Sequence, residues 1–527
     1  MKKIMLNQCG YLPKQAKTVT FVSDGPVKFS VCKSDGEAVL EGVADRKIVN
    51  ESADEINYTG SFSTLSEAGM YFIKAQGFGE SDYFSVDENV YDDALTKSLY
   101  FFYLQRCGVA LPEEDAGIYA HEACHTSVAT VYNTDIKMEV SGGWHDAGDY
   151  GRYVAPAGMT VAQLLMAYKA NAKIETECMN PADDTDMPAI LQEIKVELEW
   201  MLKMQNGKGE LHHKVTCNSF CGFVMPEYET DPLVVSPVSV TATADFAAAC
   251  AMAVEIYEVF DAPFAEKLKK ASIKAYDALV KMDMPGGFIN PEGLVTGEYA
   301  DKCDEDERYW AAAELYKAFG DERYRQDFEA IANRKIYHGY GWEDMGSYGN
   351  MAYITTSNPV DEDLKERICL AMVKKADELL ELSENDGYGV SLKKSEYIWG
   401  SNLLVSNNGI MLCDAYALTG DEKYLNAATA QLDYLLGRNP MGISYLTGVG
   451  TDDVKRPHHR PSAYVGVAML GMLSGGPCDW LGDDIARQLL KGAPPAKSFA
   501  DMTGSYSTNE VTIYWNSSLV LLLANII

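Results

Sequence analysis

Ala313-Glu-Leu-Tyr316-Lys-Ala-Phe-Gly320-Asp321-Glu-Arg-Tyr324 reads as a helix end, a tight turn and a helix start. Glycine is favoured just past a helix C-terminus because it adopts left-handed backbone without strain, and aspartate caps the next helix by accepting a backbone N–H. The pattern recurs in Asp414-Ala-Tyr416-Ala-Leu-Thr-Gly420-Asp421-Glu-Lys-Tyr424-Leu and, without the glycine, in Ala253-Val-Glu-Ile-Tyr257-Glu-Val-Phe-Asp261-Ala-Pro-Phe264. Repeated helix–turn–helix units predict helical hairpins stacked side by side, as an open solenoid or as a closed ring.

The chain ahead of these repeats differs in kind. Thr18-Val-Thr-Phe-Val22, Val27-Lys-Phe-Ser-Val31 and Tyr71-Phe-Ile-Lys74 show β-branched or aromatic alternation between Asp-Gly and Gly-rich turns. Several short strands of this kind predict a β-sandwich. From Tyr91-Asp-Asp-Ala-Leu-Thr-Lys-Ser-Leu-Tyr-Phe-Phe-Tyr103 the period becomes helical. The boundary is expected near Asp87 to Val90, giving a β-sandwich over 1–88 and an all-helical domain over 89–527. At 527 residues the chain is too long for one ordinary core.

The formal net charge of −32 makes the surface repel phosphate backbones and anionic membranes, so neither nucleic acid nor a membrane is an expected partner. A neutral glycan is indifferent to that charge, whereas an acidic polysaccharide is disfavoured. No uninterrupted apolar stretch of transmembrane length is expected. The start, Met1-Lys-Lys-Ile-Met-Leu-Asn-Gln-Cys9-Gly-Tyr-Leu-Pro13, has no apolar core or small-residue cleavage site of a signal peptide. The expectation is a cytoplasmic protein, or a secreted one if a signal has been trimmed. Twelve scattered cysteines, several within apolar helical runs, suit a reducing compartment.

Two segments carry the chemistry. Phe499-Ala-Asp501-Met-Thr-Gly-Ser-Tyr506-Ser-Thr-Asn-Glu510-Val-Thr512-Ile-Tyr-Trp-Asn516-Ser517 sets one glutamate between a polar loop and an apolar run. A carboxyl against Tyr506, Tyr514 and Trp515 is partly desolvated, which raises its pKa as a general acid requires. Ser141-Gly-Gly-Trp144-His145-Asp146-Ala-Gly-Asp149-Tyr150-Gly-Arg152-Tyr153 sets two aspartates three apart in a glycine-rich loop. Alone, that Asp-x-x-Asp reads equally as a helix cap or a solvated turn. An acid, a base and many aromatic rings together point to glycoside hydrolysis.

Both segments closely resemble glycoside hydrolase family 9, the family of many cellulases. A third, Ser444-Tyr-Leu446-Thr447-Gly-Val-Gly450-Thr-Asp452-Asp-Val-Lys-Arg-Pro457-His458-His459-Arg460, fits the family's other pattern with one departure, Asp452 standing where Asn, Lys or Arg is usual. Leu6-Asn-Gln-Cys-Gly-Tyr-Leu-Pro13 resembles the first strand of the immunoglobulin-like module that many bacterial members carry. The resemblance implies an N-terminal immunoglobulin-like sandwich followed by an (α/α)6 barrel, choosing the closed ring over the solenoid. It also implies Glu510 as acid, Asp149 as base and Asp146 as the second carboxylate that holds the water. By the same resemblance His458 and Arg460 hydrogen-bond sugar hydroxyls, Tyr506 lies close to the acid, and Trp144, Trp399 and Trp515 are candidate sugar platforms. Trp399 sits in Tyr397-Ile-Trp399-Gly-Ser-Asn402, which is similar to a recurrent family segment.

Two metals are expected and no organic cofactor. Cys107, Cys124, His125 and His145 supply two thiolates and two imidazoles, a set that suits tetrahedral zinc. Zinc-containing members with the module have equivalents there, and a closed site would anchor the loop carrying Asp146. His212-His213-Lys-Val-Thr-Cys217-Asn-Ser-Phe-Cys221 is a competing cluster, although the resemblance places it along the cleft. Thr296-Gly-Glu-Tyr-Ala-Asp301-Lys-Cys-Asp304-Glu-Asp306-Glu307-Arg-Tyr-Trp310 concentrates hard oxygen ligands, and the family's calcium loop implies Asp306 and Glu307 with Asp344. The plain alternative is an acidic helix N-terminus favoured by the dipole.

The reading is therefore an inverting endo-1,4-β-glucanase of the cellulase type acting on cello- or mixed-linkage glucans, soluble oligosaccharides rather than crystalline cellulose. The alternatives are an exo-acting β-glucosidase or glucosaminidase of the same family and an inactive glycan-binding protein. The N-terminal module reads as a packing partner for the barrel or as a glycan platform.

Overall fold

The computed structural model describes residues 3–182, 186–283 and 287–527. Met1 and Lys2 of the start segment lie outside them. By contacts the chain forms two compact units, 1–101 with 374–527, and 102–373.

In the first unit the N-terminal residues form a β-sandwich. One antiparallel sheet runs in the order Ile4–Met5, Thr18–Val22, Glu55–Ser61, Arg46–Asn50. The other runs Gly10–Tyr11, Phe84–Val86, Gly69–Ala75, Val27–Lys33, Ala38–Ala44, with Gly79–Glu80 beside Gly69–Ala75. Gly10–Tyr11 pairs parallel to Phe84–Val86. The alternation seen in the sequence buries one face of each sheet, and Tyr11, Val19, Phe21, Phe29, Val31, Ile73 and Phe84 form the core. Gly60 is required because the Phe29 ring would lie 2.6 Å from a Cβ there.

The last strand ends at Val86 and the next helix is Asp92–Leu104. The sandwich is tied to the C-terminal part of its unit by buried polar bonds. Asn7 Nδ2 and Gln15 Nε2 donate to Asp433 Oδ1 (2.9 and 3.2 Å), and Thr20 Oγ1 donates to the Gly387 carbonyl (2.7 Å). Asp452, the departure from the family pattern, faces this module, pairing with Lys3 at 3.0 Å. Helix Ser401–Thr419 packs on Glu422–Leu435 and Ile513–Ile526. Its end is the turn expected from the sequence: Gly420 is left-handed (φ +71) and Asp421 accepts Lys423 N–H.

The second unit repeats the device. Helix Glu305–Phe319 ends at left-handed Gly320, and Asp321 caps Glu322–Ala332. Helix Val240–Phe260 turns at Asp261, whose side chain accepts Phe264 N–H and opens Ala262–Leu279. Val240–Phe260 is long and apolar enough to cross a membrane by length and composition, but Asp245, Glu255 and Glu258 interrupt its apolar run and 83% of its apolar window is buried inside the protein. A five-stranded sheet, Lys137–Met138, Ala129–Val131, Val234–Val235, Lys214–Thr216, Arg152–Tyr153, fixes the chain just beyond the Asp-x-x-Asp loop.

Candidate active site

The base side lies in the second unit. Asp146 and Asp149 sit in a loop without regular secondary structure that is nonetheless buried from Gly143 onward. Gln105 Nε2 donates to the His145 carbonyl (3.1 Å), and Asp146 N–H donates to the Gly151 carbonyl (2.9 Å). Asp149 is 8% exposed, and its Oδ2 accepts from Gly151 N–H (3.0 Å) and the Tyr153 hydroxyl (3.3 Å). Asp146 is 2% exposed; Oδ2 accepts from the Tyr299 hydroxyl at 2.5 Å while Oδ1 is buried without a hydrogen-bond partner. Burial pushes the Asp146 carboxyl well above its ordinary range, with the Asp149 charge adding to the effect and Tyr299 opposing it.

The acid side lies in the first unit. Glu510 follows the short helix Tyr506–Asn509 and is half-buried between fully buried neighbours. Its carbonyl accepts Gly475 N–H (2.8 Å), and His458 N–H donates to the Asn509 carbonyl (2.8 Å), so backbone bonds stitch the two C-terminal motifs together. Asp501 completes the seam by accepting Lys455 N–H and Arg456 N–H (2.9 and 2.8 Å). His458 Nδ1–H donates to the Thr503 carbonyl at 2.6 Å, which fixes its ring. Arg460 opens helix Arg460–Val465 and is 6% exposed. The Tyr506 ring lies 5.2 Å from Trp399 and 5.9 Å from His458, and its hydroxyl donates to the Gly482 carbonyl (2.7 Å). Its phenol is pushed up, by burial first and then by nearby carboxylates that include Asp483 and Glu510.

The tryptophans divide. Trp399 is 43% exposed beside Tyr506, as a sugar platform must be. Trp144 is fully buried, its indole N–H donating to Glu193 Oε1 (2.9 Å) and its ring 5.1 Å from Phe102; it is a core residue and not a platform. Trp515 is also buried, lying 2.9 Å from where a Cβ on left-handed Gly400 would stand, and so supports the Trp399 segment from beneath.

Cys107, Cys124, His125 and His145 converge, all buried, with ligand atoms within 4.8 Å of one another. Cys107 Sγ is 3.7 Å from His125 Nδ1, Cys124 Sγ 3.7 Å from His145 Nε2, and the two ring nitrogens are 3.4 Å apart. Zinc bonds of ~2.3 Å to sulfur and ~2.0 Å to nitrogen at tetrahedral angles demand S···N edges near ~3.5 Å and N···N edges near ~3.3 Å. The donor set fits zinc. Glu229 holds His125 Nε2 at 2.9 Å from behind, the carboxylate partner that metal-bound imidazoles usually have.

The competing cluster does not form among the described residues. His212 Nδ1–H donates to the Ser236 carbonyl (2.6 Å), and His213 stacks on Phe288 between Ser239 Oγ and the Glu298 carbonyl.

In the acidic stretch the convergent group is Asp301, Asp306 and Glu307. Asp344 stands outside it, its Oδ1 accepting Gly346 N–H, and Asp301 takes the place expected for it. Asp301 Oδ2, Asp306 Oδ1 and both Glu307 oxygens are buried without partners, as are both oxygens of Asp245 on helix Val240–Phe260. Burial pushes Asp301 up to about 6 and Asp306 to about 7. Orphaned carboxylate oxygens at this density fit a divalent cation.

Sequence reasoning missed the supporting groups. Tyr299 lies in the acidic stretch read for calcium and reaches Asp146 from a left-handed backbone (φ +46) that its neighbours do not announce. Glu229, far along the chain from His125, was equally silent.

The family model for glycosyl hydrolase family 9 matches residues 91–523, and that for the cellulase N-terminal ig-like domain matches 1–80. A cellodextrinase from Butyrivibrio fibrisolvens is 37% identical over 553 residues, covering 100% of both chains. Among solved structures, a mutant thermostable endoglucanase from Alicyclobacillus acidocaldarius superposes with a TM-score of 0.94 at 35% identity, over 100% of this chain and 99% of that one. A Zn-binding triple mutant of the family 9 endoglucanase J30 superposes with a TM-score of 0.93 at 30% identity, over 98% and 99% of the two chains. Sandwich, helical hairpins, motifs and full-length likeness agree: the chain belongs to glycosyl hydrolase family 9, as an immunoglobulin-like β-sandwich followed by an (α/α)6 barrel.

Proposed function

We propose that this protein hydrolyses β-1,4-glucosidic bonds in soluble cello-oligosaccharides and mixed-linkage oligosaccharides by single displacement with inversion. The observation that carries the reading is Asp149, a nearly buried carboxylate aimed by two donors and accompanied by a second carboxylate, Asp146, aimed by a third. In this reaction Asp149 takes a proton from water as its oxygen bonds to the anomeric carbon. Asp146 orients that water. Glu510 gives its proton to the departing glycosidic oxygen, so the products are an α-configured reducing end and a new 4-hydroxyl. His458 and Arg460 grip sugar hydroxyls, and Trp399 and Tyr506 give the sugar an aromatic face.

The soluble substrate is supported by full-length likeness to a cellodextrinase. A cytoplasmic location is supported by twelve cysteines scattered along the chain without a dense framework, several of them in apolar helical runs. Cys107, Cys124, His125 and His145 would hold zinc, which would supply a closed structural tie next to Asp146 in the chain, and Asp301, Asp306 and Glu307 would hold calcium. The test is initial rates on cellopentaose: Asp149→Asn and Glu510→Gln each lower kcat by about 10²–10⁴-fold, and full activity in either overturns the assignment. Internal cleavage products mark endo action, and stepwise glucose marks exo action.

A further inference from the structure

Trp144 is held at both its ends by one helix, Ala189–Lys203. Its backbone N–H donates to Glu197 Oε2 at 2.6 Å, and its indole N–H donates to Glu193 Oε1 at 2.9 Å. The two glutamates are one helical turn apart, share a face, and are both fully buried. Glu193 has charge partners: Arg106 meets it through Nε (3.0 Å) and Nη2 (2.9 Å), and Asn180 Nδ2 donates to it as well (2.9 Å). Glu197 has no ion pair among the described residues, and its Oε1 is buried without a hydrogen-bond partner. A buried carboxyl with one oxygen unpaired costs stability that an apolar side chain of that size does not. What sets it there is the work of its other oxygen.

That oxygen grips the chain two residues before Asp146. Gly143, immediately ahead, passes so close that a Cβ would stand 2.9 Å from Glu197 Oε2, and its φ of +75 needs glycine. We propose that Glu197 is a positioning residue for hydrolysis: by holding the Trp144 N–H it fixes the direction in which the loop presents Asp146 and Asp149, while Glu193 locks the ring. This rests on the base-side assignment made above. Displacing such a loop by about 1 Å costs about 10²-fold in rate without weakening sugar binding by as much.

The experiment compares Glu197→Gln, Glu197→Asp and Glu197→Leu with wild type on cellopentaose, each also titrated calorimetrically with cellobiose. Glutamine keeps an acceptor in place and retains kcat to within about threefold. Aspartate withdraws the oxygen, and leucine removes it. Both lower kcat by tenfold or more while cellobiose binds at unchanged stoichiometry and affinity. A binding stoichiometry that falls in step with kcat means lost folded protein and overturns the proposal. So does wild-type kcat in Glu197→Asp, which keeps charge and fold where leucine fails to fold. Asp149→Asn run in parallel separates the failures: if it is active, the base assignment falls, and if it is inactive while Glu197→Asp matches wild type, only the positioning role falls.

Discussion

Tyr299→Phe removes one oxygen atom and isolates what it does. The ring keeps its edge contacts with Tyr153 and Trp342 (centroids 5.0 and 5.3 Å), so packing is conserved. The change takes away the donor that meets Asp146 Oδ2 at 2.5 Å, in a carboxyl whose Oδ1 already lacks a hydrogen-bond partner. Burial pushes that carboxyl above its ordinary range, and Tyr299 pulls it back; without the hydroxyl the upward push is unopposed by that bond. An unsatisfied buried polar group costs about 1–3 kcal/mol. Carried into the transition state, that is about a 5- to 150-fold fall in kcat, with KM changed less than about twofold. The assay is initial-rate kinetics on cellopentaose, with a thermal melt to show that the variant is folded. A raised KM at unchanged kcat would mean that Tyr299 binds sugar and does not serve Asp146. No change at all would make the second carboxylate a bystander.

Trp399→Ala removes an exposed platform and is expected to raise KM by about 10-fold, in line with the more than about 1 kcal/mol that truncating an aromatic anchor costs a binding surface, whereas Trp144→Ala lowers the melting temperature because a buried ring and its indole bond to Glu193 are lost while the backbone bond to Glu197 remains. Metal analysis of protein purified without chelator is expected to find zinc at one per chain in wild type and none in Cys107→Ser/Cys124→Ser, with a lower melting temperature in the variant; equal zinc in both refutes the site. Added calcium is expected to raise the melting temperature of wild type and not of Glu307→Gln, because the cation relieves repulsion among Asp301, Asp306 and Glu307; an equal rise in both places the cation elsewhere.

What was legible in the sequence was whatever local chemistry dictates. Gly320-Asp321 and Gly420-Asp421 end one helix and cap the next, and the alternation in Thr18–Val22 sets Val19 and Phe21 into the sandwich core, whereas the burial of Thr20 on the other face against the Gly387 carbonyl was not legible. The cluster of Cys107, Cys124, His125 and His145 was legible through the family resemblance, because its spacing matches no short zinc pattern and the residues alone read as buried thiols. What was not legible depends on long-range approach. Trp144 and Trp399 share a residue type, and only the fold decides that Glu193 claims one indole while the other stays exposed. Asp344 and Asp301 were equally acidic candidates; Asp301 converges with Asp306 and Glu307, while Asp344 accepts the Gly346 N–H and acts on Asp306 through its charge. Tyr299 lies in the acidic stretch read for calcium and Glu197 in a helix with no motif, so the part each plays at the loop of Asp146 is visible only as distances.

The measurement closest to the central claim is the anomeric form of the first product. Proton NMR during rapid hydrolysis of cellopentaose is predicted to show the α-anomer of the new reducing end appearing first and mutarotating afterwards, with no such signal from Asp149→Asn or Glu510→Gln. The β-anomer appearing first would contradict single displacement and the roles given to all three carboxylates.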